Sequence, residues 1–179
     1  FFGTILFSQP LLWYVNKSSI GRYKRRKMIY TAIVEDNKRD AERLLSFQER
    51  YGKEHKLVQQ CQWFSDAEKF LKSDTRRFDI VFMDICMPEM NGLQMIAALN
   101  SQFPDLEVSV LTGYRDFEYA KEAIRLGVTR FLLKPSNMDE LEEAIECMCA
   151  NLNLAHFSRV FKKQVGVSAN EYRNQVLGK

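Results

Sequence analysis

The chain has 179 residues, 46% hydrophobic and 27% charged, a globular composition with room for one full domain and a fragment of a second. Its formal charge of +3 conceals a split: residues 1–28 carry six basic and no acidic side chains, 29–150 carry 15 basic and 22 acidic, and 151–179 carry five basic and one acidic. Four cysteines without a Cys-x-x-Cys pair, and two histidines far apart in sequence (His55 and His156), exclude metal-finger spacing. Cys61, Cys86, Cys147 and Cys149 are expected to be buried free thiols in a reducing compartment.

The first stretch, FFGTILFSQPLLWYV, is uncharged for fifteen residues and is followed by the basic NKSSIGRYKRRK. Fifteen residues with Pro10 among them are short for a membrane span, and a secretory signal would carry its charges before the apolar run. Residues 1–27 are therefore expected to be a non-domain N-terminal extension that packs poorly on the rest, and a membrane is not an expected partner.

From Ile29 a regular alternation begins. IYTAIV (29–34) is a strand. Asn37 can cap a helix whose apolar face is Ala41, Leu44, Leu45 and Phe47. LVQQCQWF (57–64) is a second strand, and Ser65 is placed to cap a short helix with Ala67, Phe70 and Leu71. FDIVFM (78–83) is a third strand, and residues 91–102 form a helix with Leu93, Ile96, Ala97 and Leu99 turned inward. EVSVL (107–111) is a fourth strand that Ser109 weakens. A helix runs from Asp116 to Leu126 and stops at Gly127. TRFLL (129–133) is the fifth strand, and Asn137 to Cys149 is a helix with the stripe Met138, Leu141, Ala144, Ile145 and Met148. Five short strands alternating with five helices predict an α/β fold, a doubly wound parallel sheet with helices on both faces. In such sheets ligands bind just beyond the carboxyl ends of the strands.

Those ends carry chemistry. The first strand ends in Glu35-Asp36, the third in Asp84, the fourth in Thr112-Gly113 and the fifth in Lys134-Pro135. Three carboxylates in one cleft repel one another, and a divalent cation relieves that repulsion. Mg²⁺ takes hard oxygen ligands, so Asp36 and Asp84 suit it directly, Glu35 directly or through water, and the loop can add the backbone carbonyl of Cys86. A hydroxyl and an ammonium, Thr112 and Lys134, suit a phosphoryl group on the same spot. Asp84 is then the candidate acceptor of a phosphoryl group, and it needs no general base because a carboxylate is already ionised.

AIVEDN, FMDICMPEMNG, LTGY and FLLKP together resemble the receiver domain of bacterial two-component response regulators, over residues 28–150. The resemblance implies a flavodoxin-like five-stranded sheet of order 2-1-3-4-5. It implies that a sensor histidine kinase phosphorylates Asp84, that Thr112 moves toward the phosphate, and that Phe131, three residues before the lysine, swings inward. It further implies homodimers through the face made by the fourth helix, fifth strand and fifth helix. LTGYRDFEYAKEAIRLGVTRFLLKP looks like receivers attached to AraC-type DNA-binding domains, whereas MIYTAIVEDNKRDAERLLSFQERYGKE looks like those attached to LytTR-type domains.

HFSRVFKKQVGVSANEYRNQ (156–175) resembles the end of an AraC-type helix-turn-helix region, so that 151–179 forms a short helical tail. Apolar Phe157, Val160 and Phe161 alternate with Arg159, Lys162 and Lys163, Gly166 ends one helix, and Ser168 caps the next, in which Tyr172 packs. The resemblance implies a recognition helix with Arg159, Lys162 and Lys163 on DNA phosphates. The first helix-turn-helix unit and the supporting helix of the second are missing from the pattern, and a recognition helix without its scaffold does not hold its angle in a groove. The expected function is a cytoplasmic, phosphorylation-dependent regulator of transcription and not a metabolic enzyme. Two alternatives stand beside it. One is a constitutive DNA-binding or interaction protein with a vestigial receiver. The other is an aspartyl-phosphate phosphohydrolase, which wants a second carboxylate where Cys86 stands.

Overall fold

The computed structural model describes residues 28–55, 59–88, 90–113, 116–168, 170–172 and 174. The expected N-terminal extension, residues 1–27, lies outside them. The elements follow in the order β1 (Ile29–Val34), α1 (Lys38–Glu54), β2 (Gln59–Phe64), α2 (Ala67–Lys72), a 3-10 turn (Thr75–Arg77), β3 (Ile80–Asp84), α3 (Gly92–Gln102), β4 (Glu107–Thr112), α4 (Phe117–Arg125), β5 (Arg130–Leu133) and α5 (Met138–Val165). The five strands form one parallel sheet of order β2-β1-β3-β4-β5.

Alternation along the strands splits the core into two layers. Ile33, Ile80, Phe82, Leu111 and Leu132 face one way, against Leu44, Phe47 and Tyr51 of α1 and Leu141, Ala144, Ile145 and Met148 of α5. Ala32, Val34, Val81, Met83, Val108 and Val110 face the other way, against Phe70 of α2, Leu93, Ile96 and Leu99 of α3, and Ala123 of α4. The second layer holds an aromatic trio, with the Phe64, Phe70 and Phe78 rings 5.2–5.7 Å apart. Ser109 does not weaken its strand. It is fully buried, and its hydroxyl donates to Met148 Sδ at 3.3 Å, so the polar atom has a partner inside the layer.

Local differences from the sequence reading have local causes. The N-cap of α2 is Asp66, not Ser65, because its carboxylate accepts from Lys69 N and from the Ser65 hydroxyl. The cysteines are half-buried and free. Burial pushes the Cys61 and Cys149 thiols up to about 12, which makes them poor nucleophiles. The largest difference is in α5, which runs 28 residues from a capping box of Asn137 and Glu140 to Gly166 at φ 85°, well past Cys149. No glycine or proline lies between Ala150 and Val165, so nothing in the backbone stops the helix. Tyr172, expected to be packed, is 46% exposed.

Phe82 is fully buried at the centre of the sheet. Phe82→Ala is expected to lower unfolding free energy by about 3–5 kcal/mol, read as a shifted denaturant midpoint at unchanged m-value.

Candidate functional site

Each polar side chain at the carboxyl edge of the sheet is placed by the strand beneath it. Fully buried Val34 leads directly into Glu35, which is 1% exposed, while Asp36 turns outward and is exposed. The backbone of Glu35 is anchored on both sides: its N–H donates to Phe64 O (3.0 Å), and its carbonyl accepts from Trp63 Nε1 (2.8 Å). Asp84 is the last residue of β3, and 5% of it is exposed. Its Oδ1 accepts from Cys86 N (3.1 Å), so the loop that breaks after the strand also orients the carboxylate.

Lys134 ties the edge together. Its Nζ donates to Asp84 Oδ2 at 2.7 Å and lies 2.5 Å from Glu35 Oε2 and 3.5 Å from Asp40 Oδ2. Its backbone N–H donates to Thr112 O at 2.8 Å, which sets the ends of β4 and β5 level. Thr112 is fully buried. Glu35, Asp36 and Asp84 each place a carboxylate oxygen within 4.8 Å of the others. Phe131 is half-buried on β5 opposite Val110 and packs against the α3–α4 layer.

The electrostatics follow from burial. Desolvation raises the Glu35 carboxyl to about 7; Asp84 adds to the rise, while the Lys134 hydrogen bond opposes it. Burial pulls the Lys134 ammonium down, but its bonds to Asp84 and Glu35 outweigh that and hold it above its ordinary value. With all three acids ionised, one ammonium leaves the cluster with an excess of negative charge, which favours a divalent cation. The donors are hard oxygens, and exposed Asp36 leaves a side open to water. That combination fits Mg²⁺, which keeps several waters beside a few carboxylates.

Other residues support the site without having been singled out in the sequence. Asp40, four residues after Asp36 and one turn into α1, faces Lys134. Arg43 Nη2 donates to Ser136 O (2.9 Å) and Ser136 Oγ to Leu133 O (2.9 Å), fastening the turn after Lys134 to α1. Gly92 lies so close to β3 that a Cβ would meet Asp84 O at 2.2 Å. The Asn-Gly pair was a readable signal for that contact, because glycine admits a close backbone approach. The helix-spaced Arg43 gave none. Arg159, Lys162 and Lys163 do not join this site: they lie on the far half of α5 and are exposed.

A parallel 2-1-3-4-5 sheet with a carboxylate at the end of its central strand, flanked by two more acids and a lysine, defines the aspartate-centred receiver class. The chain belongs to the response regulator receiver domain family, which matches residues 31–146. A second match, to bacterial regulatory helix-turn-helix proteins of the AraC family, covers residues 147–174. Among relatives, the transcriptional regulatory protein YesN of Bacillus subtilis is 41% identical over 73 residues, 41% of this chain and 20% of that protein. The transcriptional regulatory protein CitT of Halalkalibacterium halodurans is 24% identical over 123 residues, 67% of this chain and 52% of that protein. The chain thus spans between a fifth and about half of these relatives. The signal receiver domain of an HD domain-containing protein from Pseudomonas fluorescens has the same fold, with a TM-score of 0.64 at 23% identity over 71% of this chain and 98% of that one.

Two outcomes are expected at the site. Gly92→Ala forces the Asp84 carbonyl or α3 to move, so it should destabilise the protein by about 1–3 kcal/mol and disturb the loop that follows Asp84, read together by denaturation and by Mg²⁺ titration. Glu35 binds a proton in the folded chain up to pH about 7, whereas its ordinary value is 4.5. The folded state therefore holds the extra proton between those values, and metal-free stability should fall as pH rises through that window. Thermal melts in chelator should show this slope, and Glu35→Gln should flatten it.

Proposed function

We propose that the chain is a two-component response regulator that accepts a phosphoryl group on Asp84 from the phosphohistidine of a sensor kinase and thereby controls transcription. The single observation that carries this reading is the Asp84 carboxylate. It is nearly buried at a strand end, held by Lys134 Nζ and Cys86 N–H, and faced by two further acids.

In the transfer, an Asp84 oxygen attacks phosphorus, the P–N bond breaks as the O–P bond forms, and the imidazole leaves with the bond pair. Lys134 keeps its ammonium on the Asp84 oxygens while charge spreads over the phosphoryl group. Glu35, Asp36, Asp84 and the Cys86 carbonyl would hold Mg²⁺, which when bound neutralises charge on the transferring oxygens. Thr112 and Phe131 act as the elements that respond to the new dianion. A non-enzymatic role agrees with Cys86 occupying the position where a phosphohydrolase would carry its acid/base.

The receiver unit extends over residues 28–150, and 151–179 form part of an AraC-type DNA-binding segment, in which Arg159, Lys162 and Lys163 meet phosphates. Exposed Phe117 and Ile124 on α4 suit a homodimer through the α4–β5–α5 face. Among the described residues no helix is long and apolar enough to cross a membrane, and the partners implied by the reading are cytoplasmic.

Incubation with acetyl phosphate and Mg²⁺ should give a one-phosphoryl adduct by intact mass, absent in Asp84→Asn and strongly reduced by chelator. An adduct that persists in Asp84→Asn refutes the assignment.

A further inference from the structure

A second set of linked contacts lies at the opposite end of the sheet. α5 leaves the acidic edge at Asn137 and runs back along the strands until Asn151 is level with Glu107, the first residue of β4. There Asn151 Nδ2 donates to Glu107 Oε2 at 2.9 Å, and Thr129 Oγ1 donates to the same oxygen at 2.6 Å. A little over two helical turns further on, Arg159 forms an ion pair with Asp105, in the segment between α3 and β4. Both contacts act on the part of α5 that matches the helix-turn-helix family, whose match begins at residue 147, inside an unbroken helix.

We propose that Asp105 and Glu107 form a latch that holds the far half of α5 on the receiver and withholds Arg159 from nucleic-acid phosphates. A phosphate and the Asp105 carboxylate compete for the same guanidinium. The continuous helix gives the segment no hinge at the family boundary, so its orientation is set by what the helix touches. Glu107 is the fixed point of the latch, because it sits in the β4 ladder opposite Ile80 and its N–H donates to Asp79 O. The Arg159–Asp105 pair is more than half exposed on both sides, so its share is small and reversible, as a competing contact requires. The latch stands on these contacts alone and does not depend on Asp84 accepting phosphate.

The full chain tests it in two readouts. In Asp105→Asn/Asn151→Ala, amide hydrogen exchange over 152–165 should speed up while β1 and β3 keep their protection. In a titration with a short mixed-sequence DNA duplex at low salt, Asp105→Asn should bind about two- to five-fold tighter than the unaltered chain. That gain should vanish in an Arg159→Ala background. Unchanged exchange over 152–165, an equal gain with and without Arg159, or no duplex binding by Asp105→Asn each overturns the latch. None of these outcomes bears on the phosphoryl adduct at Asp84.

Discussion

The structure depends on one ammonium. Lys134 Nζ touches Asp84 and Glu35 at once, and without it two buried carboxylates would face each other across the end of a parallel sheet. A buried carboxylate is tolerable only when paired, and here a single cation pairs two. That pairing does not fully offset the desolvation of Glu35, whose carboxyl burial raises to about 7. The pocket retains a demand for positive charge, which a hard divalent cation would meet.

The rest of the fold keeps that ammonium in reach. Both layers of the core are needed, since β1, β3, β4 and β5 carry the site and each is clamped by side chains on both faces. The register matters as much as the packing. Lys134 N bonds to Thr112 O, and Ile85 N to Leu111 O, so the strand ends stay level and the polar residues converge. Gly92 lets α3 begin against the Asp84 carbonyl, and Arg43 reaches across from α1 to hold the turn at Ser136. Support of this kind, from residues outside the pocket, is what gives a polar site a defined geometry.

The far half of α5 extends the same body past the sheet. One helix carries both the last layer of the receiver core, through Ile145 and Met148, and the basic residues Arg159, Lys162 and Lys163. A helix continuous across the 146/147 boundary makes the basic segment a structural appendage of the receiver. The contacts of Asn151 and Arg159 then decide where that appendage lies.

Strand and helix alternation and the acids, hydroxyl and lysine at the strand ends were legible in the sequence, because periodicity of two and of 3.6 is written in neighbouring residues; the strand order followed only from the resemblance to receiver domains. The length of α5 was not, since the sequence between Cys149 and Val165 carries neither a stop signal nor a strong apolar stripe, and contacts with Asp105 and Glu107 are far away in the chain. Nor were Asp40, Arg43 and the close approach at Gly92 assigned to the site. The chain by itself determined which groups arrive at the sheet edge. Only the tertiary structure decided which oxygen each nitrogen meets and how deeply each charge is buried, because distances and desolvation arise between residues brought together by folding.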